Sequence, residues 1–272
     1  MAFSVNDNGT WRTVKKLSVY DGVWKAVKSG WINKAGVWTK FYSGTTIVNV
    51  ASQNSINLRT LYTNQTGDSS SDAVSVIFNI NGNIGSTSTA TAAMVTGTWA
   101  AGSEIVVNIA AGVYVVGAGG NGSGVNGGNA VSLSYNVTIN NLGIIGGGGG
   151  GGGNSGGGGG AGNVVGTSSG GSNGTLTSGG AGVATTTSCV KANPWQWNQY
   201  YTSNGAGGSL GNNGTSGRSY QRNWGTSGCN SSASNVWIYD TTYPGGTAGK
   251  AVALNNNTVT WSPQGTTYGS IS

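Results

Sequence analysis

Three stretches of the chain alternate apolar with polar or smaller residues at a period of two. They are Val74-Val76-Phe78-Ile80, Ile105-Val107-Ile109 and Val131-Leu133-Tyr135-Val137-Ile139. Such alternation predicts half-buried β-strands. Each run ends alike. Ile80 leads to Gly82, Ile84 and Gly85; Ile109 to Gly112, Val116 and Gly117; Ile139 to Gly143, Ile145 and Gly146. The unit is strand, glycine turn, short strand, glycine, recurring at a spacing of about thirty residues, which predicts stacked β-coils or β-layers completed by this chain or by symmetry mates. Ala251 to Ile271, through Val259, Trp261 and Tyr268, reads as a fourth copy. Between the N-terminal part and the first run, the pattern predicts a short helix around Leu58 to Tyr62 and a polar loop from Asn64 to Asp72.

The two later copies each deliver the chain into glycine, at 117–128 and at 146–182. The second segment opens with Gly146 to Gly153, continues through Asn154-Ser155, and resumes with Gly156 to Gly160. From Gly117 to Gly182 there is no charged residue and no proline. One reading is a flexible linker. The other is a packed bundle of extended, polyglycine II-like helices. Such helices have three residues per turn and no internal hydrogen bonds, so each must pair with its neighbours. Return to the strand pattern on the far side favours the bundle, since a linker needs no such bracketing.

Residues 4 to 42 hold a different repeat. Asp7-Asn-Gly9-Thr-Trp11-Arg12, Asp21-Gly22-Val23-Trp24-Lys25 and Trp31-Ile-Asn33-Lys-Ala-Gly36-Val37-Trp38-Thr-Lys40 each set a glycine turn before a tryptophan and a basic residue. The glycine suits a hairpin loop. The prediction is a small β-module over 1–44 that gains by packing on a partner. Trp11, Arg12, Trp24, Lys25, Trp31 and Trp38 are its candidate attachment residues.

Composition narrows the function. Charged residues make up 7% of the chain, and the formal charge of +6 is concentrated before residue 43. No nucleic-acid-binding fingerprint accompanies it, so no nucleic-acid partner is expected. The first residues lack the apolar core of a signal peptide. With six Asp and Glu and no His, the usual triad base and the commonest neutral metal ligand are missing. Of the carboxylates, only Glu104 and Asp240 lie outside turns and polar loops, and no motif joins them. No enzyme activity, metal or cofactor is expected.

The insert at 185–243 differs from everything else. Trp195, Trp197, Tyr200, Tyr201, Tyr220, Trp224, Trp237 and Tyr239 are interleaved there with Asn, Ser, Gly and Gln, and with Arg218 and Arg222. This is the composition of binding loops, and these ten residues are the candidate receptor contacts. The competing role is to cap the glycine segment as its missing core. Cys189 and Cys229 would staple the base of the insert if they pair; the sequence leaves that open.

The stretch "INNLGIIGGGGGGGGNSGGGGG" and the ending "GGTAGKAVALNNNTVTWSPQGTTYGSIS" resemble the glycine-rich tail-fibre and tail-tip proteins of tailed bacteriophages. The resemblance covers about 45–272. It implies an all-β virion protein with an N-terminal attachment module (1–44), a β-repeat platform (45–145) and a glycine-rich tip (146–272), assembled as a homotrimer in the host cytoplasm. Its implied partners are other tail proteins and a host surface glycan or outer-membrane protein. A structural virion spacer without a receptor is the alternative; a glycine-rich surface or ice-binding protein is a weaker one.

Overall fold

The computed structural model describes residues 4–7, 10–13, 18–20, 22, 24–26, 29–154, 158–162, 166–167, 171–183, 186–224, 229 and 236–272. The N-terminal repeats are three antiparallel hairpins: β1 (Ser4–Asp7) with β2 (Thr10–Thr13), β3 (Ser18–Tyr20) with β4 (Trp24–Ala26), and β5 (Ser29–Lys34) with β6 (Val37–Ser43). The last turns through Ala35 and Gly36, both at positive φ, with the Asn33 side chain accepting from the Gly36 N–H.

From residue 45 the chain winds into coils, each laying one short strand on each of three parallel sheets. The first coil is β7 (Thr45–Val50), β8 (Gln53–Asn54) and β9 (Ile56–Asn57), followed by α1 (Leu58–Thr66). The second is β10 (Ser75–Ile80), β11 (Ile84–Gly85) and β12 (Met94–Val95). The third is β13 (Glu104–Ile109), β14 (Tyr114–Val116) and β15 (Val131–Ser132). The fourth starts with β16 (Val137–Asn141) and β17 (Ile144–Gly146). There the chain leaves the stack for its glycine segments and four longer strands: β18 (Thr186–Asn193), β19 (Gln196–Ser203), β20 (Gly217–Trp224) and β21 (Val236–Tyr243). It returns as β22 (Val252–Ala253), β23 (Val259–Trp261) and β24 (Thr266–Tyr268). The sheet orders β23-β16-β13-β10-β7, β24-β17-β14-β11-β8 and β22-β15-β12-β9 make the stack continuous within one chain.

The period-two pattern explains the register. Val48, Phe78, Val107, Ile139 and Trp261 are paired in succession up one sheet, and the first four are buried. One residue on, Asn49, Asn79 and Asn108 form an outward ladder, the amide of each of the latter two donating to the Oδ1 of the one before at 3.0 Å. In the fourth coil an asparagine takes an inward position. Asn141 is fully buried, donates to the carbonyls of Gln264 and Thr266, and accepts from the Gly143 N–H.

The short helix is longer than the sequence pattern predicts and runs on to Thr66. Asn57 caps its N-terminus by accepting from the Thr60 N–H, and Gly67 ends it in the left-handed region. The helix buries Leu58 and Tyr62. The Tyr62 ring meets Trp99 edge-on at 5.5 Å, and its hydroxyl donates to Asp68 at 2.6 Å. Burial, then that hydrogen bond, push the Tyr62 phenol up to about 12. Below pH ~10 the phenol is protonated in both folded and unfolded chains; above it the unfolded chain ionises first. Stability therefore falls as pH climbs from about 10 through 12, and Tyr62→Phe flattens part of that fall in urea titrations at stepped pH.

Residues 117–130, 146–154, 158–162, 166–167, 171–183, 204–217 and 244–250 contribute extended segments joined laterally by backbone hydrogen bonds. Gly146 to Gly153 lie at the centre. The N–H groups of Gly147, Gly150 and Gly153 donate to Tyr268, Asn212 and Thr215; those of Gly148 and Gly151 to Gly128 and Val125; those of Gly149 and Gly152 to Ala161 and Gly158. The direction of donation thus repeats every third residue. The carbonyls accept with the same repeat: Gly147, Gly150 and Gly153 from Gly211, Gly208 and Gly205, and Gly148 and Gly151 from Gly249 and Gly246. Only glycine fits there, because a Cβ on any residue from Gly147 to Gly153 would overlap a neighbouring carbonyl oxygen. At the periphery asparagines supply acceptors. Asn126 and Asn129 accept from the N–H groups of Thr247 and Lys250, three residues apart on both sides. Val116, Ala161 and Leu210 close one side as a small buried apolar cluster.

Candidate functional site

The insert is a four-stranded antiparallel sheet, ordered β18-β19-β20-β21. Its central strands pair Trp197 with Trp224, Gln199 with Arg222 and Tyr201 with Tyr220. Alternation in these strands assigns every residue to one of two faces.

The first face is knit together. The Tyr201 and Tyr220 rings stack at 4.4 Å with an interplanar angle of 11°. The guanidinium groups of Arg218 and Arg222 lie 5.2 and 5.0 Å from the Tyr220 ring centre. Arg218 also grips Asp240 with two parallel hydrogen bonds, from Nε to Oδ1 and from a terminal nitrogen to Oδ2. That contact holds the Asp240 carboxyl below its ordinary value and raises the Arg218 guanidinium. The Trp224 indole donates to Gln199 Oε1 at 3.2 Å. Cys189, opposite Gln199 on β18, is bonded to Cys229 with the Cα atoms 6.0 Å apart. The bond lies in the middle of β18 and not at the base of the insert.

The second face carries Tyr200, whose hydroxyl accepts from the amides of Asn198 and Gln221, together with Asn223 and Tyr239. Tyr200 and Tyr239 are 38% and 42% exposed. At the far end of the sheet, the turn between β18 and β19 holds Trp195 at 76% exposure, its N–H donating to Asn193 Oδ1.

The structure thus places all ten candidate receptor residues on one sheet and its turn, with Trp237 on β21 opposite Arg222 and its side chain outside the described part. The side chains of Trp11, Arg12, Trp24, Lys25, Trp31 and Trp38 also lie outside it. Their backbones occupy β2, β4, β5 and β6. Sequence reasoning missed Gln199, Asn198, Gln221 and Asp240 as parts of the site. The alternation Arg218-Tyr220-Arg222-Trp224 against Ser219-Gln221-Asn223 carried that signal. Among the described residues no group of His, Cys, Asp or Glu could hold a metal ion.

A coil stack that holds a glycine lattice, with an aromatic and amide-rich sheet presented beyond it, defines a protein built for binding at a surface. The model of the phage tail fibre adhesin Gp38 family matches residues 45–272, and the chain belongs to that family. Membership makes it a receptor-binding tail fibre protein, a component of the virion tail. Among solved structures it is similar to the gp37-gp38 adhesin tip complex of the bacteriophage S16 long tail fiber, with a TM-score of 0.53 and 24% identity, covering 85% of this chain and 83% of that one. No curated protein matches the chain. The family match starts where the coil stack starts, so the N-terminal hairpins fall outside it.

Proposed function

We propose that this chain is the tip adhesin of a tail fibre, holding the insert sheet (the arm) and the glycine-segment tips towards the host cell. In this reading residues 1–44 dock on a neighbouring tail protein, 45–145 form the platform, and 146–272 form the tip. The S16 relative forms a complex with gp37, which supports a fibre protein as the docking partner. The glycine segments are polyglycine II helices; the three-residue repeat of their donors supports this. They give the arm a base whose backbone groups are already paired. The role is binding, with no catalytic step and no cofactor. The homotrimer expected by analogy with fibres is measured by mass in solution; closure of the coil core within one chain gives a single copy the means to fold.

The observation that carries the proposal is the arm sheet: exposed aromatics among amides, on a family scaffold of adhesins. Contacts of this kind are individually weak and gain from copy number on the particle. Purified full-length chain is expected to bind saturably to cells of the virus's host and to block adsorption of the virus. Folded protein that neither binds nor competes would instead support the purely structural virion role.

A further inference from the structure

The four charged side chains of the arm, Lys191, Arg218, Arg222 and Asp240, all project from the knit face. This follows from their registers, with Lys191 opposite Trp197, Arg222 opposite Gln199, and Arg218 and Asp240 joined across the strands. The other face of the same strands bears no charge. It carries Tyr200, Tyr239 and Tyr243, with Asn198, Gln221 and Asn223 between them, and Val190 and small hydroxyl residues such as Ser188, Thr202, Ser219 and Thr241 around them. The three tyrosines are 38%, 42% and 39% exposed. Tyr239 and Tyr243 lie four residues apart on one strand, a span of about 13 Å. Asn198 and Asn223 sit opposite each other, and the Oδ1 of each is buried without a hydrogen-bond partner. At the foot of the face Tyr243 lines a cavity of about 520 Å³, with Asn126 and Asn154 from the glycine-segment tips on its wall.

We propose that this uncharged face, running from Tyr200 past Tyr239 into the Tyr243 cavity, binds a neutral oligosaccharide of the host cell surface. The inference rests on the receptor-binding reading above and names its ligand. Tyrosine rings offer flat apolar faces to the C–H side of sugar rings, and amides answer sugar hydroxyls as donors and acceptors. An anionic glycan would call for cations on this face, and the arm's cations are turned away, two of them already engaged with Tyr220 and one of these with Asp240.

The test uses the full-length chain and host cells, left untreated, oxidised with periodate to open sugar diols, or shaved with protease. The expected result is binding lost after periodate, kept after protease and insensitive to salt. Tyr239→Ala and Gln221→Ala, each with an unchanged melting curve, should weaken it at least about tenfold, while Lys191→Gln on the other face leaves it unchanged. The neutral oligosaccharide released from those cells by mild acid should compete. Binding lost to protease alone would make the ligand a protein loop and overturn the proposal. Unaltered binding by both face variants, or a strong salt dependence, would overturn it too. Absence of binding to untreated cells would sink the adhesin reading itself, a separate failure.

Discussion

Gly151→Ala is expected to destroy the glycine bundle. The new Cβ would overlap the carbonyl oxygen of Asn121. Gly151 also donates to Val125 at 2.8 Å and accepts from Gly246 at 2.7 Å, so it is pinned on other sides as well. In an ordinary core, overpacking costs about 1–3 kcal/mol because side chains shift to absorb it. Around Gly151 there is only backbone, and each neighbouring segment is tied to others. The cost is therefore placed above about 4 kcal/mol, in the exceptional class of single substitutions. For a chain of this size that lowers the melting temperature by at least ~8 °C. Gly112→Ala is the matched control. Gly112 has φ 77° with nothing within 4 Å of its Cβ position, so only the left-handed backbone is penalised. That costs about 1 kcal/mol. Calorimetric melts of both variants check the contrast; equal melting points would show that the segments are not packed as described.

Cys189→Ser is expected to loosen the arm while leaving coils and bundle folded. The bond joins β18 to the connection between β20 and β21, skipping over β19 in the sheet order. A closed loop with a sequence separation of 40 contributes roughly 4 kcal/mol in the chain-entropy account. Without it the sheet is held by its backbone ladders, the stacked Tyr201–Tyr220 pair and the Arg218–Asp240 grip, and an exposed ion pair contributes little. Limited proteolysis should cut the variant between residues 186 and 243 well before any other site, and the parent treated with reductant should behave the same way. Equal resistance of both would mean that the strands are self-sufficient.

The coil stack was legible because its chemistry is local. A period of two places Val76, Phe78 and Ile80 on one side, and glycine marks each corner; the buried pattern of β10 follows directly. The helix was found through Leu58 and Tyr62, but its end at Gly67 depends on a left-handed cap that the pattern of apolar residues does not report. The glycine segments were harder. Glycine has no side chain to encode a partner, so the pairing of Gly148 with Gly128 or of Gly150 with Asn212 is set by the lattice as a whole. Asn126 and Asn129 do mark the periphery, at a spacing of three that can be read from the sequence. In the arm, composition drew attention to the aromatics and hid the division into two faces. The bulge between Gln221 and Arg222 breaks simple alternation towards β21, and only the strand register shows that Asp240, opposite Tyr220, shares the face of Arg218 while Tyr239, opposite Gln221, lies on the other.

The central claim is that the arm meets the host cell. Its most direct test is adsorption of labelled full-length protein to host cells, comparing the parent with a variant in which Trp195, Tyr200 and Tyr239 are all alanine. These three side chains are exposed, so their removal should leave the melting curve nearly unchanged. The account predicts that the folded variant binds at least about tenfold more weakly than the parent. A folded variant that adsorbs as well as the parent would contradict it and move the contact surface to the glycine-segment tips or the coil stack.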